Sequence, residues 1–138
     1  MGQVGEIPAA VLTCSDLRLK GVRGKLASFH GIPMLDRIVI PGGVKSLVLP
    51  EHPRDSEFIL RQIEILYVHH SFTKLYTMAH VDCAACNGNR DPAYYENLLV
   101  EAGKILRIRF PLLEIVMVFV GFDGVHLVES AEELLVTA

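Results

Sequence analysis

Residues 114–120 form an almost unbroken apolar run, the feature that most restricts the folds open to this chain. A strand with one solvated face alternates apolar and polar side chains, whereas a strand covered on both faces does not. Strands of the second kind occur mainly in parallel sheets, where crossover connections carry helices over the sheet. The run therefore predicts a central strand of an α/β sheet.

Four other segments have the pattern of strands. Residues 9–14 form a short apolar run, and residues 35–40 are rich in β-branched side chains and stop at a Pro-Gly-Gly turn. Residues 74–79 are a third candidate, which would deliver His80 at its C-terminal end. Residues 125–129 follow a tight Asp-Gly turn, which favours a last strand antiparallel to the one before it.

Two segments have helical periodicity. Apolar residues recur at helical spacing over residues 56–70, and Asp55 or Ser56 is a plausible N-cap. Asp91-Pro92 is a strong helix start, and an apolar face that includes Tyr95 continues from there towards Pro111.

Strands that alternate with helices predict an α/β fold. We expect a mostly parallel, doubly wound sheet of four to five strands, with an antiparallel C-terminal edge strand and helices on both faces. The chain has 138 residues and no linker or repeat, so we expect residues 1–138 to form a single domain.

Composition narrows the possible partners and location. A net charge of −3 with interspersed charges gives no basic patch for nucleic acid. No apolar run approaches the roughly 20 residues of a membrane span, and the N-terminus lacks a signal pattern. Three cysteines cannot all pair within one chain, which favours reduced thiols and a cytoplasmic location. The 51% hydrophobic content suggests that another subunit covers part of the surface, as in a homodimer or higher homo-oligomer.

Three potential metal ligands lie at the predicted strand ends. Cys14 ends the first strand, His80 ends the third, and Cys83 follows three residues later. In a doubly wound sheet, ligands gather at the C-terminal ends of the strands. Two thiolates and an imidazole suit tetrahedral zinc, and three protein ligands leave one position for water.

A charged pair adjoins this ligand set in the pattern Cys14-x-Asp16-x-Arg18. The spacing allows Asp16 to reach a metal-bound water. Arg18 could hold Asp16 by a two-pronged hydrogen bond and keep it ionised.

Cys14-Ser15-Asp16-Leu17-Arg18, followed much later by His80-Val81-Asp82-Cys83, resembles the signature of the β-class carbonic anhydrases. The resemblance extends to the Pro41-Gly42-Gly43 loop, the segment 75–80 and the hairpin 118–124, and so covers residues 9–129. The chain is shorter than usual for that family, and Leu17 stands where a serine is common.

The resemblance implies zinc-dependent, reversible hydration of carbon dioxide to bicarbonate and a proton by a metal-bound hydroxide. It implies Zn²⁺ held by Cys14, His80 and Cys83, with Asp16 and Arg18 as the catalytic pair. Gly42 and Gly43 would line the substrate pocket, and a dimer would be usual. In some members of the family the aspartate equivalent to Asp16 binds the metal instead of orienting the hydroxide.

Three alternatives stay open on the sequence. The same hydroxide could hydrolyse carbonyl sulfide or carbon disulfide. The domain could bind zinc without turnover, and Cys86 could be a fourth ligand that closes the site, since closed zinc sites are structural. Cys83 and Cys86 could also form a redox pair, although this would consume a zinc ligand.

Overall fold

A computed structural model of the chain describes residues 7–19 and 35–128. It contains five strands, three α-helices and two short 3₁₀ turns. In chain order these are β1 (Ala9–Thr13), a 3₁₀ turn (Leu17–Leu19), β2 (Leu35–Val39), α1 (Lys45–Val48), α2 (Asp55–His70), β3 (Lys74–His80), a second 3₁₀ turn (Ala84–Cys86), α3 (Pro92–Arg109), β4 (Glu114–Gly121) and β5 (Gly124–Val128).

The strands form one sheet in the order β2-β1-β3-β4-β5. β1 pairs in parallel with β2 and β3, β3 pairs in parallel with β4, and β5 runs antiparallel to β4. The helices pack around this sheet, with α3 against β3 and β4. The predicted fold class, a mostly parallel doubly wound sheet with an antiparallel C-terminal edge strand, is confirmed.

The strand order places a topological switch point between β1 and β3. The chain leaves β1 towards one edge of the sheet and later crosses back to β3 on the other side of β1. At such a point the loops at the C-terminal strand ends separate and leave a crevice in which ligands bind. The residues that follow β1 and β3 therefore share one crevice.

The core is centred on β1 and β3. All five residues of β1 are buried, and so is every residue of β3 after Lys74. In β4, four apolar side chains are buried and two more pack against the core, as expected of an internal strand: Ile115, Met117, Val118 and Phe119, then Val116 and Val120.

The two long helices begin differently from one another. The Asp91 side chain accepts a 3.0 Å hydrogen bond from Ala93 N, and Pro92 is the first residue of α3, as predicted. The N-cap expected for α2 was wrong, because Arg54 occupies that position and no side chain caps it. Asp55 Oδ2 instead accepts from His52 N, and the Ser56 hydroxyl donates to Leu47 O at 2.7 Å, which ties α2 to α1.

Strand ends differ from the predictions by one residue in places. β1 stops at Thr13, so Cys14 is the first residue after the strand, whereas β3 includes His80 as its last residue. β5 begins at Gly124, one residue before the predicted start. Its predicted last residue, Glu129, lies outside the described residues. The same holds for residues 1–6, 20–34 and 130–138 of the predicted domain. Across the described part of the chain, no helix is long and apolar enough to cross a membrane.

Candidate metal centre

Cys14, His80 and Cys83 converge at the switch point between β1 and β3. One ligand atom from each residue lies within 4.8 Å of the other two, and the two sulfur atoms are 3.9 Å apart. All three side chains are buried, with exposed fractions of 7%, 4% and 2%. His80 and Cys83 lie far from Cys14 in the sequence, yet the three side chains form one soft S₂N donor set. Such a set suits a metal ion, as predicted from the sequence.

The His80 ring has the orientation of a metal ligand. Its Nδ1 lies 2.9 Å from the Val81 carbonyl oxygen, which can only accept, so Nδ1 carries the proton and Nε2 has a free lone pair. Nε2 is buried and makes no well-formed hydrogen bond within the described residues. Buried nitrogen atoms rarely stay unsatisfied, and metal-binding histidines commonly donate their other N–H to a carbonyl. The donor set and this nitrogen therefore fit a zinc ion.

The two thiols of the cluster differ in acidity. Burial raises the pKa of Cys14, but the adjacent His80 imidazole and the hydrogen bond from the Gly42 N–H outweigh burial and lower that pKa to about 7. Burial, reinforced by the neighbouring Cys14 thiolate, raises the pKa of Cys83 to about 12. A metal binds both cysteines as thiolates, so zinc binding would displace a proton chiefly from Cys83.

The Pro41-Gly42-Gly43 loop packs directly on the ligand residues. Gly42 N donates a 3.2 Å hydrogen bond to Cys14 Sγ. Gly42 has φ +83°, and a Cβ there would lie 2.9 Å from Ala85 Cβ. At Gly43, with φ +55°, a Cβ would lie 3.0 Å from the Met78 carbonyl oxygen. Both positions require glycine, because the backbone takes left-handed conformations in close contact with its neighbours.

Asp16 and Arg18 form the predicted ion pair beside the cluster. Arg18 Nη2 lies 2.7 Å from Asp16 Oδ2, and Arg18 Nε lies 3.0 Å from Asp16 Oδ1. The arginine holds the pKa of Asp16 at about 2, so the carboxylate is a weak base at neutral pH. Asp16 Oδ2 is 3.8 Å from His80 Nε2, yet Asp16 is not one of the residues whose ligand atoms are mutually close.

Cys86 is close in sequence but separate from the cluster. It ends the 3₁₀ turn that begins after Cys83, and its N–H donates to the Cys83 carbonyl at 3.0 Å. The side chain is 6% exposed, and it is absent from the set of mutually close ligand atoms among the described residues. Burial, and less strongly the neighbouring Cys86 thiol, raises the pKa of the Tyr94 hydroxyl.

Two residues of the site lay outside the sequence-based prediction. Tyr95 was assigned only to the apolar face of α3, but its hydroxyl accepts from Cys83 N at 3.2 Å and donates to Asn89 O at 2.7 Å. Asp82, between two ligands, accepts hydrogen bonds from Arg18 through its side chain and its carbonyl. For Asp82, the only sequence feature that could have indicated a role was its place between His80 and Cys83. No sequence feature indicated that Tyr95 contacts the site.

Comparisons with known proteins agree with the fold. No family model matches the chain. It is 25% identical over 133 aligned positions to an uncharacterised protein of Rickettsia bellii, covering 88% of this chain and 81% of that protein. It is 24% identical over 133 positions to an uncharacterised protein of Rickettsia conorii, covering 88% and 72%.

Two solved structures are similar to the chain in fold. The β-carbonic anhydrase CafA of Aspergillus fumigatus superposes with a TM-score of 0.54 at 13% identity, covering 97% of this chain and 82% of that one. One of two tetrameric β-carbonic anhydrases of Sordaria macrospora gives 0.53 at 14% identity, covering 91% and 83%. The chain therefore has the fold seen in β-carbonic anhydrases.

Proposed function

We propose that the protein is a zinc-dependent enzyme that hydrates carbon dioxide reversibly to bicarbonate and a proton. The observation that carries this proposal is the buried convergence of Cys14, His80 and Cys83 at the switch point of the sheet. The likeness of the fold to β-carbonic anhydrases and the adjacent Asp16–Arg18 pair support it.

The three ligands would leave a fourth coordination position free. Zinc held there would act as a Lewis acid and lower the pKa of a bound water to about 7, which supplies a nucleophile at neutral pH. Cys86, the remaining cysteine of the chain, lies outside the cluster, so its sulfur would not occupy that position. Burial of the ligands would also exclude bulk water from the reacting atoms.

Asp16 and Arg18 would orient the attacking water. The Asp16 carboxylate already points towards the cluster, 3.8 Å from His80 Nε2, and accepts three hydrogen bonds from the Arg18 side chain. A carboxylate held in this way would accept a hydrogen bond from a water at the cluster and so orient that water towards carbon dioxide. Gly42 and Gly43 would line the substrate pocket through their main chain, because the space that side chains would need at these positions is filled by Ala85 and by the Met78 carbonyl.

Hydrolysis of carbonyl sulfide or carbon disulfide is the competing enzymatic function, because the nucleophile and the substrate shape are alike. A non-catalytic zinc domain is the competing structural function. A stopped-flow assay with a pH indicator separates all three when zinc-verified protein is given each substrate. We expect carbon dioxide to be turned over fastest. Faster turnover of a sulfur substrate would reassign the enzyme, and no turnover above that of His80→Ala would leave the structural function.

We also propose a homodimer or a higher homo-oligomer. Large apolar side chains are exposed on β2 and on the outer face of α2, including Val39 (44%), Phe58 (60%), Ile65 (49%) and Val68 (70%). Exposed apolar clusters of this kind commonly mark subunit contacts. One solved relative in fold is described as tetrameric. Light scattering that returns a monomer mass at micromolar concentration would contradict the oligomer.

We also propose a reducing compartment such as the cytoplasm, which the three free cysteines fit.

A further inference from the structure

The Arg18 guanidinium is held from two sides by residues of the two halves of the site. Its Nε and Nη2 bind the Asp16 carboxylate, while Nη1 lies 3.3 Å from Asp82 Oδ2 and Nη2 lies 2.9 Å from the Asp82 carbonyl oxygen. Asp16 follows the ligand Cys14, whereas Asp82 lies between the ligands His80 and Cys83. Arg18 thus ties the loop after β1 to the loop after β3.

We propose that Asp82 is a positioning residue that fixes the Arg18 guanidinium and, through it, the orientation of the Asp16 carboxylate at the metal centre. This inference rests on the proposed function for what the positioning serves. The contacts themselves do not depend on that function.

The backbone at position 82 does not by itself call for an aspartate. Asp82 has φ +57°, a left-handed conformation that glycine adopts most readily and that Asn and Asp tolerate better than other residues. Its N–H donates to Asn89 O at 2.9 Å, which secures the turn through the main chain. The carboxylate is therefore not needed for the turn.

The carboxylate of Asp82 is directed at arginines. Aspartates in this conformation often hydrogen-bond their own loop. Within the described residues, the Asp82 carboxylate instead contacts Arg18 and, at 3.8 Å between Oδ1 and Nε, Arg90. Arg90 in turn lies over the Phe122 ring at 5.4 Å on the β4–β5 hairpin. Asp82 thus joins Arg18 to a part of the fold away from the ligands.

The contact between Arg18 and Asp82 would orient side chains more than it would stabilise the folded protein. The side chains of Arg18 and Asp82 are 54% and 31% exposed, and ion pairs so open to water add little to folding. Asp16 Oδ1 also accepts a 2.8 Å hydrogen bond from Arg18 N, so the main chain holds one oxygen of the carboxylate. If the guanidinium were bound by Asp16 alone, it could still turn together with Oδ2. A second anchor at Asp82 removes that freedom, so Asp16 keeps one direction towards the cluster.

Two substitutions at position 82 separate the effect of the carboxylate charge from the effect of the backbone conformation. Asp82→Asn keeps the tolerance for positive φ and an acceptor oxygen but removes the charge. Asp82→Gly keeps the turn and removes the side chain. Arg90→Gln is the matched control, since it removes the other arginine that contacts Asp82 and leaves the contacts of Arg18 intact.

The readout is water exchange of the Arg18 Nε–H group, measured by ¹⁵N NMR on the full-length, zinc-loaded chain and assigned with Arg18→Lys. This proton lies between Arg18 and Asp16, so its protection reports how firmly that pair is held. We expect exchange to be about tenfold faster in Asp82→Gly, intermediate in Asp82→Asn and unchanged in Arg90→Gln. Zinc content should stay at the wild-type level, and kcat for hydration should fall in the same order while KM changes little.

Unchanged exchange in Asp82→Gly would overturn the inference. Loss of zinc from that variant would also overturn it, because Asp82 would then hold the ligand loop and not Arg18. If exchange follows the expected order but even the wild type fails to hydrate carbon dioxide, the positioning stands and the proposed function fails. If the wild type is active and all variants match it in both measurements, the function stands and the positioning fails.

Discussion

The Gly42 N–H donates a 3.2 Å hydrogen bond to the sulfur of Cys14, so the loop after β2 contacts the candidate ligand that follows β1. A hydrogen bond to a thiolate is charge-assisted, and it contributes to the lowered pKa of Cys14. Such outer contacts fix the direction of a ligand and tune its affinity for metal.

Gly42→Ala should weaken zinc binding. The new Cβ would meet Ala85 Cβ at 2.9 Å, and φ +83° is unfavourable for alanine, so the loop must withdraw from Cys14. We expect zinc affinity to fall about 10–100-fold, as measured by competition with a colorimetric chelator. Gly124→Ala is the control, because φ there is also positive and a Cβ would have no neighbour within 4 Å. Equal losses in both variants would show that general strain, and not the Cys14 contact, is responsible.

Cys83→Ala and Cys86→Ala should have unequal effects on zinc. Cys83 belongs to the cluster of ligand atoms and Cys86 does not, although both thiols are buried. We expect Cys83→Ala to lose the metal. Cys86→Ala should retain about one zinc per chain and lose roughly 1 kcal/mol of unfolding free energy through lost packing.

Elemental analysis of protein never exposed to chelator, together with urea unfolding, measures both effects. Equal loss of zinc in the two variants would make Cys86 a fourth ligand and the site a closed, structural one.

Asp16→Asn should keep zinc and lose most hydration activity. The amide fills the same space, but it has no charge and cannot accept all the hydrogen bonds that Arg18 donates to the carboxylate. We expect kcat to fall about 100-fold or more in a stopped-flow assay, with the zinc content checked on the same sample. Glu51→Gln, at an exposed carboxylate that pairs only with Lys45 in the described contacts, is a suitable control. Wild-type activity in Asp16→Asn would remove Asp16 from the reaction.

The sheet was predictable because its strands carry the signal in their own residues. The apolar runs ending at Cys14 and His80 identified strands that the structure confirms, and the Asp-Gly turn identified the antiparallel edge. Asp91-Pro92 marked the start of α3 by capping chemistry that is local to two residues. Helix α1 was not predicted, and α2 begins at Asp55, one residue before the predicted start. Ser56 was expected as a possible cap, but its hydroxyl instead donates to Leu47 O across a loop, a contact that local sequence does not indicate.

The convergence of Cys14, His80 and Cys83 was predictable, whereas the contacts that support this cluster were not. Cys14, His80 and Cys83 lie at strand ends, and parallel strands bring such ends together by topology alone. The contacts of Tyr95 and Asp82 depend on how α3 and the loop after β3 fold onto the ligands. The spacing of residues along the chain does not predict these tertiary contacts.

Zinc K-edge X-ray absorption on the purified, full-length chain tests the open zinc centre most directly. An open centre should give two sulfur neighbours at about 2.3 Å and two nitrogen or oxygen neighbours at about 2.0–2.1 Å, one of them the His80 imidazole. Cys86→Ala should give the same spectrum, and Cys83→Ala should not. Three sulfurs and one nitrogen around the zinc of the wild type would contradict an open centre, because Cys86 would then occupy the coordination position proposed for water.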